Sequence, residues 1–460
     1  MSFVTGASND ADTHVPVKNS ADIVNDHPLG WFHGRLAACS GGCAFLDGYI
    51  LAIFGVAMTQ IGPEFGLSAA AKGGLAATLL IGVFLGGTFG GYLTDRFGRQ
   101  RIYKWDIAII AVLSLASFWV DSILALVIAR FLVGIAVGVD LPIAPALLTE
   151  LSPSRLRGPF LGIFITMFFV GGAGAYLAGE VLMSVIGDGA WRWMLASAVV
   201  PAILIVLMRI GIPESPLWLA AQGRVEEANA VMRQVFGPGA VVDVEESPTT
   251  KPTRYGLTAI VRAGYGGRLA YVIGMWMCLI IPVYAVFSFG PQLISAMHLE
   301  GRASTVGAAV IEIMFAVGCI GALLTVNKMG RRTMTVWSYG LASIPMLGLA
   351  VVSNAPALWS AAMFVAYAVA TGGMEVMSYV YPNELFPTEM RGSAMGIVHA
   401  VTRTGAATGT FLVPISLETL GLQTTMFIGF LITVFGLVIS ILWAPETRGM
   451  SLSESSNIST

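Results

Sequence analysis

Residues 150–158 read Glu-Leu-Ser-Pro-Ser-Arg-Leu-Arg-Gly, and residues 384–392 read Glu-Leu-Phe-Pro-Thr-Glu-Met-Arg-Gly. Glu150, Pro153, Arg157 and Gly158 return as Glu384, Pro387, Arg391 and Gly392 with unchanged spacing, 234 residues later. Around this stretch two more motifs repeat. Asp95, Arg96, Gly98 and Arg99 are echoed 232 residues on by Asn327, Lys328, Gly330 and Arg331, an amide replacing the acid. Pro213-Glu214 returns as Pro445-Glu446 at that same offset of 232. Three motifs sharing nearly one offset mark the chain as two copies of one unit, running in the same direction.

Hydropathy says what that unit is. Of 460 residues 56% are hydrophobic and 11% charged, against about 25% charged in an ordinary soluble domain. Mean hydropathy is +0.78. A water-soluble globule, a disordered chain and a nucleic-acid binder are therefore excluded; the formal net charge of −2 offers no basic face for phosphate. At about 20 apolar residues per membrane crossing, there is room for about a dozen spans. Six apolar runs fall in the first half, at 36–61, 73–93, 102–120, 123–148, 160–186 and 193–212. Six more follow at 269–296, 306–326, 334–352, 357–381, 394–417 and 424–444.

The expected fold is thus an all-α membrane protein, with twelve transmembrane helices in two parallel-related six-helix bundles. Parallel repeats of this kind hold a solute near the bilayer midplane between their halves. The expected divisions are an N-terminal tail at 1–30, a first bundle at 31–212, a central loop at 213–268, a second bundle at 269–445 and a C-terminal tail at 446–460. In the central loop, Arg224 to Ala228 reads as a short surface helix and 237–254 as a linker. Residues 1–27 lack an apolar core, so no cleavable leader is expected. Lys and Arg gather in connections on one side (Arg96, Arg99, Arg101, Lys104, Arg155, Arg157, Lys328, Arg331, Arg332, Arg391), leaving Lys72, Arg192 and Arg302 on the other. By the positive-inside tendency both termini and the central loop are cytoplasmic. Cys39, Cys43, Cys278 and Cys319 sit in apolar runs and read as packing residues, and no metal-ligand spacing, phosphate loop or nucleophile elbow is present.

The stretches 91–101, 130–138, 150–158, 213–219, 384–392 and 445–452 resemble the signatures of the major facilitator superfamily, in its sugar-porter and organic-ion branch. The likeness runs from Leu36 to Glu454. It implies a secondary transporter working by alternating access, energised by a proton gradient and using no cofactor. It also implies a cytoplasmic latch built from Asp95, Arg96, Arg99, Glu150, Arg157, Glu384 and Arg391. In this reading Glu150 with Arg157, and Glu384 with Arg391, bridge neighbouring helices.

Ionisable groups within the spans carry the functional expectation, because a charge in hydrocarbon persists only where it is paired or used. At 1.5 Å per residue, Asp47 lies about 16 Å from the inner end of its span and Arg130 about 10 Å from the outer end of its own. Their depths match, so a proton-coupling pair Asp47–Arg130 is expected. The resemblance supports it, although proton-coupled sugar porters place the acid where this chain has Ile50. Arg403, also near mid-depth, suits a substrate carboxylate through its guanidinium fork; pairing with Glu375 is the alternative. Asp140 and Glu375 are further proton-site or gate candidates, whereas Glu180 and Glu312 are expected to reach water at the outer ends.

In the family, hexose is read by amides in spans five and seven; here Ile165 and the segment Trp276 to Tyr284 stand in their place. The expected binding set is therefore Arg403, Tyr49, Tyr284, Glu375, Tyr379, Trp276, Phe164 and His399, with Phe168, Phe287 and Tyr381 as further aromatic lining. The expectation is a monomer of a bacterial plasma membrane that symports protons with a small organic anion, such as an aromatic or other carboxylic acid. A sugar or sugar-acid porter, and a facilitator or drug exporter of the same fold, are the alternatives.

Overall fold

The computed structural model describes residues 30–237, 240–242, 256–296, 299, 301–352, 356–448 and 450, and among these there is no strand. The first half contains α1 (Trp31–Glu64), α2 (Ala69–Phe97), α3 (Arg99–Ala116), α4 in two pieces (Ile123–Asp140 and Ile143–Glu150), α5 (Ser154–Ile186) and α6 in two pieces (Ala190–Ser197 and Val199–Arg209). The second contains α7 (Gly266–Ser295), α8 (Arg302–Met329), α9 (Arg331–Val351), α10 (Ala357–Leu385), α11 (Thr388–Thr419) and α12 (Gly421–Trp443). Between them, Pro216–Ala221 and Val225–Phe236 form short helices, with Arg224 capping the second and paired to Glu227 at 2.6 Å. Most of the expected linker 237–254 lies outside the described residues, as do residues 1–29 and 451–460 of the expected tails.

Helix pairing follows the repeat. In the first half α1 packs on α5, α2 on α4 and α3 on α6; in the second α7 packs on α11, α8 on α10 and α9 on α12. Each second-half pair is a first-half pair moved on by six helices. Small residues allow the close crossings expected where lipid supplies no hydrophobic drive between helices. A Cβ at Gly48 on α1 would overlap the Phe168 carbonyl on α5, and one at Gly86 on α2 would overlap the Ile135 carbonyl on α4. The halves meet along α1–α7, α2–α11 and α5–α8.

Eleven of these helices are long and apolar enough to cross a membrane; α11 is the exception. Its sequence is diluted by Arg391, His399, Arg403 and a run of threonines. Thr402, Thr404 and Thr408 return their hydroxyls to carbonyls one turn back, at 2.9, 2.7 and 2.8 Å, so these hydroxyls are satisfied within the helix. Packed against α2 and α7, α11 faces protein as well as lipid.

The repeated motifs fold alike. Gly98 and Gly330, at φ of 95° and 90°, turn the chain into α3 and α9 from a region that favours glycine. Glu214 Oε1 accepts the Gln100 backbone N–H at 2.9 Å; Glu446 accepts those of Arg331 at 2.9 Å and Arg332 at 3.2 Å. Both carboxylates therefore cap the positive end of a helix and satisfy donors with no partner inside it.

Candidate functional site

A cavity opens where α1, α2, α4 and α5 of one half face α7, α10 and α11 of the other. Its ionisable lining is Asp47, Glu375 and Arg403, and its aromatic lining Phe164, Phe168, Phe169, Trp276, Tyr284 and Tyr379. Aliphatic groups, among them Leu51, Leu80 and Val137, complete the first-half wall. The void measures about 50 Å³, room for a few waters. Loading an organic solute requires the halves to part.

Arg403 on α11 donates from Nη1 to the Tyr284 hydroxyl on α7, and its guanidinium carbon lies 5.3 Å from that ring's centre. Its Nε has no hydrogen-bond partner, and among the described residues it joins no ion pair, with Glu375 or any other acid. Asp47 is 3% exposed, with one carboxylate oxygen equally unpartnered. Arg403 is a charge neighbour of both Asp47 on α1 and Glu375 on α10. Two acids from opposite halves thus face one guanidinium across a void, an arrangement able to hold a proton, an anion, or both.

The deciding observation is one of kinship. The family profile described as sugar (and other) transporter matches residues 35–458, nearly the whole chain. This chain belongs to the sugar (and other) transporter family. YaaU of Escherichia coli (strain K12), a protein named for metabolite transport, is 37% identical over 436 residues, covering 94% of this chain and 97% of that one. The inner membrane metabolite transport protein YgcS of the same organism is 32% identical over 435 residues, with 95% and 96% covered. In fold, this transporter is similar to the major facilitator superfamily proton:xylose symporter XylE, at 22% identity and a TM-score of 0.77, covering 92% of this chain and 98% of that one. This member of the family is a multi-pass membrane transporter of the major facilitator fold and not an enzyme.

The transporter gathers most of the expected binding residues. Asp47, Phe164, Phe168, Trp276, Tyr284, Glu375, Tyr379 and Arg403 all line the cavity. Other expectations are corrected. Arg130 does not pair with Asp47: its Nη1 donates to the Ile50 carbonyl at 3.3 Å, and its guanidinium lies 3.9 Å from the centre of the Phe54 ring. Depth matched, but the arginine reaches α1 one turn beyond the acid. Tyr49 bonds Ser197 on α6 at 2.7 Å, and Tyr381 donates to the Pro445 carbonyl at 3.0 Å; both leave the cavity wall. Phe287 is buried behind Phe168, 4.8 Å between ring centres. His399 packs edge-on against Trp276 at 4.7 Å, supporting the wall and not forming it. Glu312 does not reach water; it is fully buried on α8 with neither carboxylate oxygen bonded. Glu180, partly covered, does pair with the exposed Arg302, at 3.7 Å.

Among the residues expected to form a latch, Glu384 holds Arg331 of the repeated turn motif, through Nη2 at 2.8 Å and Nε at 3.1 Å, and also accepts from Thr447. Arg391, the expected partner, instead faces the Phe386 carbonyl at 3.4 Å. Arg331 begins α9 beside the end of α10, so its fork is the nearer cation. Arg96 stacks on Phe97, 5.5 Å from its ring centre, and Arg99 begins α3. The side chains of Asp95, Glu150 and Arg157 lie outside the described ones.

Asp106, Arg209 and Tyr103 carry a feature that sequence reasoning missed. Asp106 and Arg209 lie inside the apolar runs 102–120 and 193–212 and carried no expectation, yet both are buried between helices. The available signal was that Asp106 lies seven residues inside α3, about 10 Å from its start.

Proposed function

We propose that the protein is a proton-coupled symporter that takes up a small organic anion across a bacterial inner membrane, as a monomer with both termini in the cytoplasm. The observation carrying the reading is Arg403: a buried guanidinium without an ion pair among the described residues, set in a largely aromatic chamber. With both acids ionised, Asp47 and Glu375 would give the chamber two negative charges against one positive. A carboxylate solute entering alone would raise the imbalance, whereas a solute arriving with a proton on Asp47 leaves it unchanged and frees Arg403 to bind the anion. Guanidinium forks suit planar carboxylates, and Trp276, Tyr284 and Tyr379 suit a flat body. The motif charges, Glu384 with Arg331 above all, serve as the latch that holds one face shut.

A second reading, uptake of a neutral sugar with a proton, is favoured by the family's description and by relatives such as the arabinose-proton symporter of Bacillus subtilis, 26% identical over 470 residues. Reconstituted vesicles separate the two. Under an inward proton gradient, aromatic monocarboxylates are expected to accumulate and to compete with one another, while xylose and arabinose do not compete. Competition by the pentoses without competition by any acid overturns the anion reading in favour of the sugar. In Asp47→Asn, gradient-driven accumulation is expected to be lost while exchange across vesicles at equal pH persists; undiminished accumulation removes Asp47 from coupling.

A further inference from the structure

Behind the cavity wall, within the first half, lies a cluster for which transport as described has no use. Arg209, from the end of α6, donates through Nη1 to Asp106 Oδ1 on α3 at 2.6 Å and through Nη2 to Asp140 Oδ1 on α4 at 2.7 Å. It lies over the Tyr103 ring, 3.3 Å from its centre, and its Nη2 is 2.6 Å from the Cys43 sulfur on α1. Asp106, Asp140 and Arg209 are each at most 4% exposed.

The charges do not balance. Two carboxylates face one guanidinium, a surplus of one negative charge in a site closed to water, and burial of an uncompensated ion is strongly disfavoured. Asp106 Oδ2 and Asp140 Oδ2 are both buried without a partner, although the two carboxyl groups come within hydrogen-bonding reach of each other. Two carboxyl oxygens bond only when one carries a proton. The other ionisable groups at hand are Tyr103 on α3 and Cys39, Cys43 and Arg35 on α1, with Asp47 one turn beyond Cys43; Arg35 is spent on the Met208 and Ile210 carbonyls and bonds neither aspartate. The thiols and the phenol contribute no positive charge, so none supplies the missing balance.

Scaffold glue does not explain the cluster. At the offsets of the repeat, 232 for α3 and α6 and 234 for α4, Asp106, Arg209 and Asp140 correspond to Ser338, Ile441 and Met374, so the second half builds the same bundle with no charge there. Position points instead to communication. Asp140 closes the first piece of α4, Leu141 beside it lines the cavity, and Asp140 acts electrostatically on Asp47.

We propose that Asp106 and Asp140 share a single proton beside Arg209, forming a proton-binding site separate from the central cavity that exchanges its proton with Asp47. The proposal deepens the symport reading and in part rests on it. Binding leaves an O–H bond on one carboxyl and a hydrogen bond to the other; release leaves both as carboxylates, with Asp47 the acceptor.

The test uses the full chain in detergent with the proton as ligand, so it needs no transported solute. Infrared spectra of wild type across a pH series are expected to contain a buried carboxylic acid C=O band, shifted in heavy water, that disappears in both Asp106→Asn and Asp140→Asn. Asp47→Asn, Glu312→Gln and Glu375→Gln are expected to retain that band. Proton release on an alkaline jump in unbuffered solution is expected to fall by about one proton per chain in either dyad variant. A band and a proton count unchanged in a folded Asp106→Asn overturn the shared site, even where acids still accumulate under a proton gradient. Should Asp140→Asn not fold, Asp106→Asn decides alone, since a proton shared by two carboxyls leaves the spectrum when either is lost. Loss of gradient-driven uptake with the band intact overturns the symport reading instead, and with it the exchange with Asp47.

Discussion

On the proposed anion reading, Arg403 is the residue that selects the solute. Its Nη1 is held by Tyr284 and its Nε is without a partner, so the fork is aimed yet not consumed. A charge-assisted hydrogen bond to a carboxylate contributes about 1.5–3 kcal/mol, and each 1.4 kcal/mol is about tenfold in affinity. Arg403→Ala is therefore expected to weaken binding of an acid solute at least about tenfold by calorimetry. Arg403→Lys is expected to recover part, because a point charge replaces a fork. Equal affinity in wild type and Arg403→Ala removes the anchor. The cavity's chemistry was legible at this scale: most of the chosen aromatic and charged positions line it. What escaped was direction. Asp47 and Arg130 share a depth, and helical counting gives depth well, but Arg130 turns to the Ile50 carbonyl and the Phe54 face. Which neighbour a side chain meets depends on the rotation of two helices about their axes, and no spacing within either helix contains that.

Among elements, the twin caps explain why Pro-Glu recurs at the end of each half. Glu214 and Glu446 lie 114 and 115 residues from the backbone donors they satisfy at the starts of α3 and α9. Loss of a cap costs about 1 kcal/mol. Glu214→Ala and Glu446→Ala are each expected to destabilise the protein by about that amount in detergent melting. As the two sites lie in different halves, the double variant is expected to show the sum; a double variant no worse than either single one refutes independent caps. On α7, Pro291 lacks the N–H that would bond the Phe287 carbonyl one turn back. The Tyr176 hydroxyl of α5 supplies it at 2.8 Å, and the backbone departs from helical angles at Phe289, φ −137°. Tyr176→Phe leaves that carbonyl buried and unpaired, a cost of about 1–3 kcal/mol. The expected readout is a lower melting temperature with the helical circular dichroism of the folded state unchanged; an unaltered melt means another donor takes over.

Over the whole molecule, contact between the halves is tight on the face away from the repeated motifs. Gln292 of α7 donates to the Gly55 carbonyl of α1 at 3.0 Å, and a Cβ at Gly73 on α2 would overlap the Phe411 carbonyl of α11. Closure there depends on glycine at the crossing. Gly73→Leu is expected to wedge α2 from α11, abolish accumulation, and expose a Leu51→Cys reporter in the cavity to a membrane-impermeant thiol reagent added on that face. Accumulation and labelling equal to those of Leu51→Cys alone would show that this crossing does not gate access.

By itself the sequence determined the class of molecule, the number of spans, the two-fold repeat and the ionisable groups that line the central cavity. Those properties follow from hydropathy over about 20 residues and from spacing along the chain, both one-dimensional quantities. Only the tertiary structure decided that Glu384 grips Arg331 instead of Arg391, that Arg403 has no ion pair among the described residues, and that Asp106, Asp140 and Arg209 converge from three helices. In lipid every buried polar group must find its partner within the protein. Which one it finds is set by how the helices pack together, and that packing is a property of the assembled bundle.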